Sequence, residues 1–156
     1  MPQTGERPGE GFVRPSIHAG CVAVGDAGIL VRGPAGSGKS TFILKLILDA
    51  PRCLPQGELV ADDRVLLSLG HGALWAAPSP VLAGLVEVRG LGILRFPHRP
   101  YVRLTHVVDL GEENDRLPER RNVDVKGINL RQIVSKDAAR AVLMLAAALT
   151  GMDHVD

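Results

Sequence analysis

The chain has 156 residues, the length of one compact domain with no space for a second of ordinary size. Lys plus Arg is 18 against 17 Asp plus Glu, a formal net charge of +1, which excludes nucleic-acid or membrane-surface binding through bulk charge. The aromatic residues are Phe12, Phe42, Trp75, Phe96 and Tyr101, too few and too scattered for base-stacking platforms.

Residues 1–15 are polar and Gly/Pro-rich, and read as a flexible arm before a single domain over 16–156. They hold no apolar run of signal-peptide type, and the longest apolar stretch, Ala141 to Leu149, is far below the roughly 20 residues of a membrane helix. Cys21 and Cys53 lack CxxC or zinc-ligand spacing. A cytoplasmic, reducing location is the expectation.

Ile17 to Val24 predicts a strand ending at the turn signal Gly25-Asp26, and Ile29 to Val31 predicts its hairpin partner. A Gly-rich loop from Gly33 to Gly38 leads into a helix over Lys39 to about Asp49, with Phe42, Ile43, Leu46 and Ile47 on one face. Pro51 stops that helix. Short strands follow at Leu59 to Ala61, Val65 to Leu69 and Ala73 to Ala76. Val81 to Val88 is apolar apart from Gly84 and Glu87, and Ile93 to Phe96 and Val102 to Leu110 read as further strands. The charged stretch Gly111 to Arg121 predicts an exposed loop, and Lys136 to Leu149 a helix with Ser135 as N-cap and Gly151 as C-cap. The pattern is that of a mixed α/β domain.

Gly33-Pro34-Ala35-Gly36-Ser37-Gly38-Lys39-Ser40, followed by Thr41, fits G-x-x-x-x-G-K-[ST] between a strand (Gly28 to Arg32) and a helix. Glycines let the backbone wrap phosphate oxygens with its N–H groups inward, and the helix N-terminus adds partial positive charge. Lys39 is placed to reach the β- and γ-phosphates and Ser40 to ligate Mg²⁺, so the expected ligand is a nucleoside triphosphate, ATP above others.

Asp62 and Asp63 follow an apolar strand, 23 residues after Lys39. One carboxylate suffices for a cation, so a second is available to accept a proton from an attacking hydroxyl. The same pair also suits a solvated strand-to-turn corner. Glu87, inside Leu85-Val86-Glu87-Val88, is either a second Mg²⁺ contact or the partner of Arg89. His18 lies in an apolar strand 15 residues before Gly33, where a histidine packs in a core or serves a site.

Ser16-Ile17-His18-Ala19-Gly20, the phosphate loop, Leu59-Val60-Ala61-Asp62-Asp63-Arg64 and Leu85-Val86-Glu87-Val88-Arg89-Gly90-Leu91-Gly92-Ile93 occur in one order. Together they resemble the catalytic domain of the HPr kinase/phosphorylase family, with the Glu-x-Arg-Gly-Leu-Gly segment the most specific match. The resemblance is close over Ser16 to Leu94 and thins toward Gly151. It implies an α/β fold of the HPr kinase/phosphoenolpyruvate carboxykinase-like type, with a mixed sheet, a helix after the phosphate loop and a C-terminal helix. It implies ATP- and Mg²⁺-dependent phosphorylation of a serine on HPr, the small phosphocarrier of the sugar phosphotransferase system, or on an HPr-like carrier. It also implies the reverse phosphorolysis, and a homo-oligomer, by family a hexamer.

Carried over by motif, His18 corresponds to the family's active-site histidine and Lys39 to its phosphate-loop lysine. Ser40 and Glu87 correspond to its Mg²⁺ ligands, and Asp63, with Asp62 beside it, to the base for the serine hydroxyl. Asn114-Asp115-Arg116-Leu117 resembles the segment with a mobile-loop catalytic arginine, which makes Arg116 the candidate. Three departures stand out. Only about 15 residues precede the match, as in the short form of some proteobacteria that lacks the N-terminal domain. Val123 to Asn129 lacks the Arg- and Pro-rich sequence that the family links to dephosphorylation, which favours the kinase direction. Pro34-Ala35 replaces commoner acidic or Ser-containing variants, at positions where backbone N–H groups do the binding. A nucleotide-binding regulatory domain without transfer activity and a small-molecule P-loop kinase are the alternative functions.

Overall fold

The computed structural model describes residues 13–111 and 121–151. Among them the elements are β1 (Val13–His18), β2 (Gly20–Val24), β3 (Ala27–Arg32), α1 (Lys39–Leu48), β4 (Glu58–Ala61), β5 (Arg64–Gly70) and β6 (Ala73–Pro78). A 3₁₀ turn at Pro80–Leu82 follows, then β7 (Leu85–Val88), β8 (Gly92–Arg95), β9 (Val102–Leu110), β10 (Asn122–Val125), β11 (Ile128–Ser135) and α2 (Ala138–Thr150).

The main sheet runs β1-β5-β6-β9-β3-β2-β4, with β11 and then β10 joined beside β9, while β7 and β8 form a separate hairpin. β3 and β11 are both parallel to β9, and β2 lies antiparallel between β3 and β4. The carboxyl ends of β3, β4, β9 and β11 therefore gather at one end of the sheet, where open α/β sheets bind ligands.

Helices α1 and α2 cover one face. Phe42, Ile43, Leu46 and Ile47 of α1 and Ala141, Val142 and Leu145 of α2 meet Val22, Ile29, Val31 and Val108 there. A second core on the other side joins Ala19, Cys21, Leu30, Ala61, Val65, Leu74 and Val107. Cys21 is buried and Cys53 exposed, and both are free. Phe42 is fully buried at the centre of the helix-side core. Phe42→Ala is expected to cost about 3–5 kcal/mol, read as a lower midpoint in urea unfolding.

The opening apolar run does not form one strand. It divides at Ala19, whose N–H donates to the Asp63 carbonyl at 3.1 Å and carries the chain from β1, paired with β5, to β2, paired with β3 and β4. β1 begins at Val13, so residues 13–15 are strand rather than arm, and residues 1–12 lie outside the described residues. The β2–β3 hairpin forms where it is expected.

The β10–β11 hairpin carries no turn signal in the sequence; its turn places Lys126 and Gly127 at φ 49° and 84°. The N-cap of α2 is also corrected. Asp137, not Ser135, accepts from the Arg140 N–H at 2.7 Å, because Ser135 is still in β11 and its hydroxyl is turned to the Asp137 backbone. Gly151 closes the helix as expected, its N–H donating to the Ala147 carbonyl. No helix among the described residues is long and apolar enough to cross a membrane.

Candidate active site

The loop after β3 turns back on itself, with the Ser37 N–H donating to the Pro34 carbonyl at 3.1 Å. Gly36 and Gly38 take φ of 81° and 101°, a left-handed geometry that side chains resist. Gly38 caps α1 without a side-chain bond, and the first intrahelical bond runs from the Phe42 N–H to Gly38. The N–H groups of Lys39, Ser40 and Thr41 are thus left without helical acceptors, at the positive end of the helix dipole. The Ser37 hydroxyl is buried beneath the loop, against Gly33, and has no partner among the described residues. Lys39 Nζ rests on the loop's own carbonyls, 2.6 Å from Gly33 O and 3.1 Å from Pro34 O.

Asp62 and Asp63 part at a tight turn. The Arg64 N–H donates to the Asp62 carbonyl, and the intervening Asp63 is held at φ 73°. That backbone is strained for a non-glycine residue, and strain of this kind concentrates at functional sites. Its effect is to send the two carboxylates to different partners. Ser40 Oγ donates to Asp62 Oδ1 at 2.9 Å. His18 Nε2 lies 2.8 Å from Asp63 Oδ1, and these side chains are 45% and 59% exposed, open to an incoming substrate.

Burial pushes the Asp62 carboxyl above its ordinary range. The Ser40 hydroxyl and the Glu87 N–H pull it back, the neighbouring Asp63 charge raises it, and Lys39 lowers it. A cation against Asp62 would relieve that burial cost.

A cavity of about 650 Å³ joins these groups, lined by His18, Gly36, Lys39, Ser40, Asp62, Asp63 and Glu87. Ala35, Gly38 and Thr41 line it as well, whereas Gly33, Pro34 and Ser37 shape the loop behind them. Glu87 projects from the β7–β8 hairpin, and among the described residues no ion pair joins it to Arg89, which also faces the cavity. Arg116 lies outside the described residues.

One wall was not legible as part of the site. Leu44 of α1, Leu82 of the 3₁₀ turn, and Leu85, Val88 and Ile93 of the hairpin form an apolar side to the cavity. Their pattern in the sequence is that of ordinary core residues. Only the exposure of Ile93 and Leu91, 69% and 74%, sets the hairpin apart.

The Ser40 hydroxyl meets the Asp62 carboxylate at this corner, and the Glu87 carboxylate belongs to the same cavity. Among the described residues no cluster of three His, Cys, Asp or Glu could cage a metal. Such a set fits Mg²⁺, which takes one or two carboxylates and completes its shell with water and substrate phosphates.

Comparison with known proteins identifies the family. The HPr Serine kinase C-terminal domain model matches residues 13–99, more than half of the chain. An HPr kinase/phosphorylase of Streptococcus thermophilus is 39% identical over 82 residues, and one of Streptococcus salivarius 38% over 82. The matched segment is 52% of this chain but 25% of each relative, so the chain spans only a quarter of their length. The Hpr(Ser) kinase/phosphatase structure from Coxiella burnetii superposes with a TM-score of 0.71 at 22% identity, over 87% of this chain and 94% of that one. The fold is thus the α/β fold of that structure, and the chain belongs to the HPr serine kinase C-terminal domain family.

Proposed function

We propose that the protein is an ATP-dependent protein-serine kinase that phosphorylates HPr or an HPr-like phosphocarrier. One observation carries the reading: adjacent carboxylates at a single cavity are split, one to the phosphate-loop serine and one to a histidine. A nucleotide-binding module needs only the first half of that arrangement.

The loop N–H groups cradle the phosphates of ATP, and Lys39 leaves the Gly33 and Pro34 carbonyls to reach the β- and γ-oxygens. Ser40, Asp62 and Glu87 hold Mg²⁺, which neutralises phosphate charge when bound. Asp63 accepts the proton of the acceptor serine as its oxygen attacks the γ-phosphorus and ADP leaves, with His18 fixing the carboxylate's orientation. In phosphorolysis inorganic phosphate attacks the phosphoserine, pyrophosphate is released, and Asp63 returns its proton to the departing serine oxygen. Arg116 is the candidate cation for the γ-phosphoryl group. The family's homo-oligomeric state and a cytoplasmic location belong to the same proposal.

Incubation with HPr, Mg²⁺ and labelled ATP is expected to yield phosphoserine on HPr. ATP bound without phosphoserine on any HPr-like carrier would replace this reading by that of a regulatory nucleotide-binding domain.

A further inference from the structure

Directly behind the phosphate loop, on the strands that carry it, sits a polar cluster that the catalytic reading does not use. Arg32 ends β3, and Asp109 lies opposite it near the end of β9. Arg32 Nε donates to Asp109 Oδ1 at 2.8 Å and its second nitrogen to Oδ2 at 2.9 Å. Gln132 Nε2, from β11, donates to Oδ2 at 2.7 Å. One carboxylate, 14% exposed, thus gathers three N–H donors from the strands on either side. An exposed single-bonded pair is worth little, but a two-pronged, mostly buried one fixes geometry.

What that geometry serves is visible one residue on. Gly33 follows Arg32, and a Cβ at Gly33 would stand 2.7 Å from the Leu110 carbonyl oxygen and 2.5 Å from Ser37 Oγ. One at Gly111 would stand 3.4 Å from both Pro34 and Ser37. The phosphate loop therefore leans on the end of β9. Its placement depends on how β9 is aligned with β3, and that ladder carries an irregularity. Gly28 faces Leu104 but Ile29 faces His106, leaving Thr105 over. Past the bulge the buried Ile29-Leu30-Val31 and Val107-Val108 hold the two strands in register, and the Asp109 cluster closes the ladder at the end that bears the loop.

We propose that Asp109, acting through Arg32 and Gln132, is a positioning residue for the phosphate loop, setting where Gly33 to Ser37 rest against Leu110-Gly111 and so how well the loop grips a nucleoside triphosphate. The proposal rests on the nucleotide reading given above. It assigns the pair a role in ligand affinity rather than in stability alone.

The test is ATP affinity by calorimetric titration, beside the melting temperature, for Asp109→Asn, Arg32→Gln and the double variant. Each single change is expected to weaken ATP binding roughly tenfold, the worth of a charged hydrogen bond, and the double variant to be no worse than the poorer single one. Glu58→Gln breaks the two-pronged Arg99–Glu58 pair at the far end of the sheet and is the control; its ATP affinity is expected to stay unchanged. Should Asp109→Asn fail to fold, Gln132→Ala removes one donor of three and is expected to weaken ATP binding about threefold. Unchanged ATP affinity in the folded variants, whatever their melting temperatures, overturns the proposal. Absence of ATP binding by the unmodified chain overturns the nucleotide reading itself.

Discussion

Asp63→Asn is expected to lower the rate of phosphoryl transfer by roughly 10²–10⁴-fold while leaving ATP affinity nearly unchanged. Asparagine is the appropriate replacement because of the backbone. Asp63 sits at φ 73°, and asparagine tolerates that conformation where alanine resists it. The Ala19 N–H bond to the residue-63 carbonyl is therefore kept, and with it the corner between β1 and β2. The amide oxygen can still accept from His18, so orientation survives and only proton acceptance is lost. Steady-state kinetics with HPr as acceptor, paired with a direct ATP titration, separate the two effects. Loss of nucleotide binding in this variant would make Asp63 a metal or structural residue and end its assignment as the base.

Lys39→Ala is expected to reduce transfer on the order of 10³-fold and to weaken ATP binding, with little change in melting temperature. The fold should not suffer, because the lysine touches only the partly exposed Gly33 and Pro34 carbonyls, which water can satisfy in its place. The loss is specific to charge developing on the transferring phosphoryl group, which the alanine methyl cannot stabilise. Full activity in Lys39→Ala, measured as labelled phosphate on HPr, would overturn the phosphate-loop reading.

Much of this site is legible before any coordinates. The phosphate loop is contiguous, so its strand, glycines and helix are all local features of the chain, and α1 buries the residues that its periodicity selects. The Asp62-Asp63 pair is legible as chemistry, but not which acid faces Ser40 and which faces His18. That division depends on a three-residue turn and on an Ala19 contact more than forty residues away in the chain. The break at Ala19 is hidden for the same reason, since an apolar run carries no mark of a change of sheet. The β10–β11 hairpin escapes because β10 is a half-exposed edge strand and β11 carries Asn129, Arg131 and Gln132 among its apolar residues. Its Lys126-Gly127 turn also lacks the Asn-Gly signal. At α2, Ser135 and Asp137 are both good caps, and only the length of β11 decides between them.

The two cores bear different halves of the chemistry. α1, the segment behind the phosphate loop, and the residues flanking Glu87 rest on the helix-side core, whereas Ile17, Ala19, Ala61 and Val65, which frame His18 and Asp63, rest on the other. Effects of substitutions at well-separated sites are close to additive. On the proposed reading, a change of side-chain volume on the helix side bears first on the nucleotide, and one across the sheet bears first on the acceptor.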